Sequence, residues 1–238
     1  MMLIPNNLKR VTSPRLQASG QSVTMSKSKQ VFFHFTELFR SIDMGSLAIS
    51  FEKLLDANKS NRQPGTGAPF KVANVRDDLN PGASTAELKE LVDAVGFEPH
   101  NELCELLQIN NGQRGFGSPI LGGFYFFSIQ QILNSWYEHT GISSVEQKFD
   151  GQDDRIQPNV FWSKRWIPIG YAEPFELVLD CCPTESGTNG QILFYDHESP
   201  PGPVIAHSLC GFFETAIKNM DKRGRFSIGY SKCETPAS

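Results

Sequence analysis

The sequence has no long apolar run, no apolar segment near its N-terminus and no regular set of cysteines. No stretch of the 238 residues approaches the ~18 apolar residues of a membrane-spanning helix, which argues against a membrane protein. The missing N-terminal apolar segment argues against a secretory signal peptide. The cysteines are odd in number and contain no CxxC pair: Cys104, Cys181, Cys182, Cys210 and Cys233. Because this pattern does not fit a disulfide framework, we expect reduced thiols and a cytoplasmic protein.

The sequence also lacks the spacing patterns of common catalytic and metal sites. Neither H-x-x-x-H nor H-E-x-x-H occurs among the 5 histidines, so a zinc site lacks its recognisable ligand set. In the polar cluster Asp196-His197-Glu198, a strand would place the two carboxylates on one face and the imidazole on the other. We therefore expect no catalysis, no cofactor and no metal ion. The alternative that stays open is an enzyme that uses Cys181 or Cys182 with a distant histidine.

The formal net charge of the whole chain at neutral pH is only −4, but positive charge is scarce in its central part. Residues 84–216 contain 18 Asp and Glu against 6 Lys and Arg, a difference of −12. The ends are basic, since residues 1–36 carry +5 and residues 217–238 carry +3. An acidic body argues against nucleic-acid binding, which needs a cationic face, and it fits a basic partner. Solubility alone is the alternative explanation of this charge.

Composition and apolar periodicity divide the chain into four parts. The predicted parts are a disordered tail (1–30), an N-terminal extension with one helix and a linker (31–80), a main domain (81–220) and a C-terminal tail (221–238). The first tail is polar and without apolar period, and Met25 is an alternative start of the protein. In the extension, Leu47, Phe51 and Leu54 recur on one face of a predicted helix.

Helix start and stop signals recur through the main domain. Ser84 and Glu87 form a capping-box pattern ahead of a first helix, and Gly96 suits the left-handed position at its end. A second helix is predicted to stop at "NNG", residues 110–112, because glycine and asparagine tolerate positive φ. Ser128 and Ser208 are placed to cap two later helices with apolar faces.

Short apolar segments between these helices predict strands. An aromatic strand is expected over residues 121–127, and Pro168 places the segment that begins at Trp166 at a sheet edge or before a strand. Two further strands, 175–180 and 191–196, are expected to form a hairpin. The order α-α-β-α-β-β-β-α, with its consecutive strands, predicts an α+β fold with a mostly antiparallel sheet flanked by helices.

Six segments in this order resemble the SUKH superfamily, and more narrowly its Smi/Knr-type branch of cell-wall-assembly regulators. The segments are "ELCELLQINNG", "GGFYFFSIQQI", "WIPIG", "LVLD", "GQILFYDHE" and "VIAHSLCGFFETAI", within residues 84–217. The family's signature positions, which we interpret as structural, are Asn111, Gly112, Trp166, Pro168, Asp180, Gly190 and Ser208. The chain departs from the family pattern at "FEPHNEL", where a Leu-Pro pair is usual, and at Leu209-Cys210, where Phe is commoner.

The resemblance implies an α+β fold and a non-catalytic role in binding another protein. It implies, for a bacterial member, an immunity protein that binds and neutralises a toxin, often a nuclease; fungal relatives act as hubs in cell-wall signalling. We therefore predict a domain that binds a basic toxin through an acidic surface, with neither nucleic acid nor membrane as partner. A scaffold in cell-wall or stress signalling is the alternative. The acidic residues predicted at the binding surface are Asp150, Asp153, Asp154, Glu173, Glu176 and Glu198.

Overall fold

Amphipathic helices and short apolar strands alternate along the chain. The structure, a computed structural model, describes residues 44–60, 75–115, 119–142, 152–197 and 202–220. All of these residues belong to Asp43–Ser238, one of the two compact units into which the chain divides. The predictions for the two tails, for Asp150 and for Glu198 lie outside the described residues.

Helices and strands follow the predicted α+β order, with one strand more than predicted just before the last helix. The helices are α1 (Met44–Ser60), α2 (Thr85–Val95), α3 (Asn101–Ile109), α4 (Ile129–Ile142) and α5 (Leu209–Asn219), with a 3-10 turn at Val75–Asp78. The strands are β1 (Tyr125–Phe126), β2 (Trp166–Ala172), β3 (Phe175–Asp180), β4 (Gln191–Asp196) and β5 (Val204–Ala206). Among the described residues, no helix combines the length and the apolar character needed to cross a membrane.

The sheet is an antiparallel meander in the order β1-β2-β3-β4-β5, which confirms the predicted fold class. One strand prediction needs correction. The aromatic strand predicted over residues 121–127 is confined to Tyr125–Phe126. The segment that begins at Trp166 is strand β2, which pairs with β3 on one side, and Pro168 lies at a local edge of the sheet as predicted. Pro168 is tolerated there because β1 pairs with Gly170 and Tyr171, further along β2.

Side chains cap the helices as the sequence predicts. Ser84 Oγ accepts a hydrogen bond from the Glu87 amide at 3.3 Å, while the Glu87 carboxylate accepts one from the Ser84 amide at 2.7 Å. Gly96 follows α2 with φ +77°, in the left-handed region. At α5, Ser208 Oγ accepts from the Gly211 amide at 3.0 Å. These contacts satisfy amide groups that the first helical turn leaves unpaired, so they fix where each helix begins.

Helix α1 packs on α5 and α3 in the same core as the main domain, although the sequence placed it in an extension. Its predicted apolar face is buried, with Leu47, Phe51 and Leu54 no more than 1% exposed. The Phe51 ring contacts the rings of Phe213 on α5 and Phe126 on β1, at centroid distances of 5.6 and 6.2 Å. Helix α1 therefore covers apolar surface that the helices and the sheet would otherwise expose.

Candidate functional site

The signature turn at Asn111 and Gly112 joins the end of α3 to the start of α4. Asn111 Oδ1 accepts a hydrogen bond from the Ile129 amide, the first residue of α4, at 2.8 Å. Gly112 has φ +75°, and a Cβ there would lie 2.2 Å from the Ser128 backbone nitrogen. Glycine is therefore required at position 112 both by the positive φ and by the close approach of the Ser128 backbone. The contacts of this turn hold α3 and α4 together.

The signature residues of the sheet also make their contacts within the protein. Trp166 is fully buried at the start of β2. Asp180 Oδ1 accepts from the Cys182 amide at 2.8 Å and Oδ2 accepts from Gln191 Nε2 at 2.9 Å, so its carboxylate links the two ends of the β3–β4 turn. Burial raises the pKa of the Asp180 carboxyl group above its ordinary value. Gly190 has φ +86°, and a Cβ there would meet the ring of His100 at 2.6 Å.

An open groove of about 580 Å³ runs between α2 and α4. Leu133 provides apolar floor, Gln130 and Tyr137 come from α4, and Glu90 and Asp93 come from α2. Tyr137 is 54% exposed, and among the described residues only it and Ile49 are large apolar side chains with such exposure. Lys89 forms an ion pair with Asp93 one turn further along α2, while Glu90 is exposed. The groove therefore combines an accessible aromatic ring with carboxylates. We refer to it below as the α2–α4 groove.

The sequence singled out other acidic residues, and the structure separates them. Asp154 and Glu173 are exposed as expected. Glu173 lies in the turn between β2 and β3, whereas the Asp154 carbonyl accepts from Thr184 Oγ1, in the turn between β3 and β4. These turns flank opposite ends of β3, a 6-residue strand, and such a strand spans roughly 20 Å. Asp154 and Glu173 therefore do not form one compact acidic patch.

Asp153 has an internal role. Its carboxylate accepts from Arg155 Nε at 2.8 Å, from Arg155 Nη2 at 2.6 Å and from the Val204 amide at 3.1 Å. Its side chain is 12% exposed, and the hydrogen bonds from Arg155 hold the pKa of its carboxyl group below the ordinary value. This carboxylate ties the segment before β2 to β5, so it offers little free charge to a partner.

Glu176 differs most from its predicted position at an acidic surface, because it is 3% exposed and lies under α4. Its Oε1 accepts from Ser135 Oγ at 2.8 Å, and its Oε2 lies 2.8 Å from His139 Nε2 and 3.8 Å from His197 Nε2. Ligand atoms of His139, Glu176 and His197 all lie within 4.8 Å of one another, an arrangement that has the donors and the spacing to hold a metal ion. We call these three residues the His-Glu-His cluster.

Strand pairing explains how the His-Glu-His cluster forms. Glu176 on β3 is directly opposite Tyr195 on β4, and paired residues point to the same face. His197, two residues beyond Tyr195, returns to that face, while His139 reaches it from α4. No local spacing reveals these residues in the sequence. The available signal was that Ser135 and His139 continue the apolar stripe of α4, which predicts polar side chains at buried positions.

The thiols of Cys104 and Cys181 are buried and fit structural roles better than catalytic ones. Cys104, Cys181, Cys182 and Cys210 are free among the described residues. Burial raises the pKa of both the Cys104 and the Cys181 thiols to about 12. A thiol with so high a pKa is almost entirely protonated at neutral pH, whereas a nucleophilic cysteine needs its thiolate.

Comparison with known proteins found a family match over most of the predicted main domain. The sequence model of a family described as SMI1 / KNR4 family (SUKH-1) matches residues 82–215, more than half of the chain. A search of curated proteins found no match. The matched region includes α2, α3, α4, the whole sheet and the first part of α5, while α1 precedes it.

Proposed function

The chain belongs to the SMI1/KNR4 (SUKH-1) family, and we propose on this premise that it is a non-catalytic domain that binds another protein. We propose further that the partner is a basic toxin domain of the nuclease type, which the bound domain keeps inactive. The observation that carries the proposal is the α2–α4 groove, where the exposed Tyr137 shares the lining with the exposed carboxylate of Glu90, while Asp93 is paired with Lys89.

An exposed tyrosine in a groove has the properties of an interface anchor. Tyrosine buries a large rigid surface at low conformational cost and has a hydroxyl group for a hydrogen bond, so it is enriched among the residues that dominate binding energy. Tyr137 packs edge-on against Trp136, with ring centroids 5.3 Å apart, and this contact restricts the orientation of the Tyr137 ring on α4. A partner side chain that enters the groove would meet Tyr137 and the Glu90 carboxylate together.

The excess of acidic residues supports a basic partner. A nuclease needs a cationic cleft for phosphate, and such a cleft attracts carboxylates. Residues 84–216 carry a formal net charge of −12. Asp154 and Glu173 are exposed and add negative charge outside the α2–α4 groove. Complementary charge of this kind mainly accelerates the encounter, while the buried anchor sets how long the complex lasts.

The test uses the full chain and a toxin domain encoded by a neighbouring gene. We expect Tyr137→Ala to weaken binding by about 30-fold, since truncation of an anchoring tyrosine costs about 2 kcal/mol. Ile49→Ala is the matched control, because Ile49 is equally exposed but lies on α1, away from the groove. Titration calorimetry measures both affinities, and survival of toxin-expressing cells measures protection. Equal affinity of the two variants would exclude the α2–α4 groove as the interface, and turnover of toxin substrate by the chain itself would exclude a non-catalytic domain.

A further inference from the structure

We propose that His139, Glu176 and His197 form a binding site for a divalent metal ion of the zinc type, with one coordination position open toward solvent. This inference rests on the His-Glu-His cluster and is independent of the proposed function. It assigns a ligand role to two histidines and a carboxylate that the toxin-binding surface does not use.

The spacing of the cluster suits tetrahedral zinc. Zinc binds imidazole nitrogen and carboxylate oxygen at about 2.0–2.2 Å, so ligand atoms of one tetrahedral ion lie roughly 3.3 Å apart. Glu176 Oε2 lies 2.8 Å from His139 Nε2 and 3.8 Å from His197 Nε2, distances that bracket this value. Since all three ligand atoms lie within 4.8 Å of one another, small side-chain movements suffice to centre an ion.

The donor set selects the class of ion. Two imidazoles and one carboxylate are the ligands of an intermediate transition metal, whereas Ca²⁺ and Mg²⁺ prefer oxygen alone. Three protein ligands also leave the fourth zinc position vacant. His197 supplies the access to that position, since its side chain is 38% exposed while those of His139 and Glu176 are 9% and 5% exposed.

Neighbouring side chains already hold two of the ligands in place. Ser135 Oγ donates to Glu176 Oε1, which leaves Oε2 facing the two imidazoles. Trp162 stacks on the His139 ring, with centroids 4.0 Å apart and planes at 18°. The Tyr195 ring lies 5.2 Å from that of His139 and 5.4 Å from that of His197. Partners of this kind orient ligands before an ion arrives, and their loss typically weakens metal binding by about 10–100-fold.

Burial explains why Glu176 favours a cation. A carboxylate removed from water needs a compensating positive charge or several hydrogen bonds. Within the described part of the chain, the ion-pair partners of Glu176 are His139 and His197, and neither imidazole carries a permanent charge. A divalent ion would supply the compensating charge and would join α4 to the β3–β4 hairpin.

The experiment titrates the untagged full chain with Zn²⁺ and with Co²⁺. We expect one ion per chain, and a visible Co²⁺ spectrum of tetrahedral nitrogen and oxygen ligands without a thiolate-to-cobalt charge-transfer band. His197→Gln and Glu176→Gln should each weaken binding by at least about 100-fold, and Ser135→Ala by about 10-fold. His207→Gln, a change at an exposed histidine outside the cluster, is the matched control and should bind as the unchanged chain does.

Three results would overturn the proposal. These are a chain that binds no Zn²⁺, a His197→Gln variant that retains affinity within about threefold, and a charge-transfer band that reveals thiolate ligands. Because His197 lies at the surface, its replacement is compatible with folding even if Glu176→Gln destabilises the core. Circular dichroism of each variant before titration identifies any loss of fold.

Discussion

Neighbouring carboxylates in this protein have different environments, and Asp153 and Asp154 are the clearest pair. Asp153 accepts four hydrogen bonds, three from Arg155 and one from the Val204 amide, whereas Asp154 is exposed. A sequence reading that treats both as members of an acidic loop cannot separate them, because β5 approaches Asp153 from a distant part of the chain. Replacing both residues together would mix a folding defect with a loss of surface charge.

Single replacements of these two residues should therefore differ in stability. We expect Asp153→Asn to lower the free energy of unfolding by about 1.5–3 kcal/mol, since hydrogen bonds to a charged group are lost. Asp154→Asn, the matched control, should change it by less than about 0.5 kcal/mol. Urea unfolding at neutral pH measures both values. Equal stability of the two variants would contradict the structural role of Asp153.

The same contacts predict a pH dependence. Arg155 lowers the folded-state pKa of Asp153, so this contribution to stability is present above the ordinary aspartate pKa and is lost as the pH falls through the lowered value. Urea unfolding followed from neutral to acidic pH should show a smaller stability loss for Asp153→Asn than for the unchanged chain. If the free energy of unfolding falls equally in both proteins as the pH becomes acidic, folding does not stabilise the ionised Asp153 carboxylate.

At the scale of elements, sequence reasoning predicted what depends on local pattern and missed what depends on distant pairing. The caps at Ser84 and Ser208 were predictable because capping uses residues three positions apart. The His-Glu-His cluster was not, because its members come from α4, β3 and the end of β4. The apolar face of α1 was also evident in the sequence, but the helical spacing of its apolar residues does not indicate which elements α1 packs against.

Helix α1 lies before the matched family region, and its burial makes it part of the folding unit. Phe51 is fully buried between Phe126 and Phe213, so Phe51→Ala should cost about 3–5 kcal/mol, because it removes a buried ring and leaves a cavity. Ile49→Ala is again the control, as it changes an exposed position of the same helix. Thermal unfolding measures both, and an equal effect would show that α1 does not pack as described.

This packing changes how the signalling-scaffold alternative must be tested. A truncation to residues 80–220 would remove α1 along with the N-terminal tail, and loss of function would then report a damaged core. A chain that begins at residue 43 keeps α1 and removes the preceding segment alone. A scaffold that binds through its tails should lose function in that shorter chain, whereas a domain that binds through the α2–α4 groove should keep it.

At the scale of the whole molecule, charge is segregated along the chain. Residues 1–36 carry a formal net charge of +5, whereas residues 84–216 carry a formal net charge of −12. A basic partner is repelled by the first segment and attracted by the second. Since long-range charge acts mainly on the rate of encounter, the N-terminal segment should slow association without changing the lifetime of the complex.

Replacing Lys9, Arg10, Arg15, Lys27 and Lys29 with Gln tests this effect while keeping the chain length. We expect faster association with the basic toxin domain at low salt, an unchanged dissociation rate, and a difference that disappears at about 1 M salt, where the screening length falls to about 3 Å. Stopped-flow fluorescence measures the association rate across salt concentrations. Tyr137→Ala is the complementary variant, since loss of an anchor should raise the dissociation rate at every salt concentration. Slower association of the five-Gln variant would mean that the basic segment itself attracts the partner, and that the partner's contact surface is acidic.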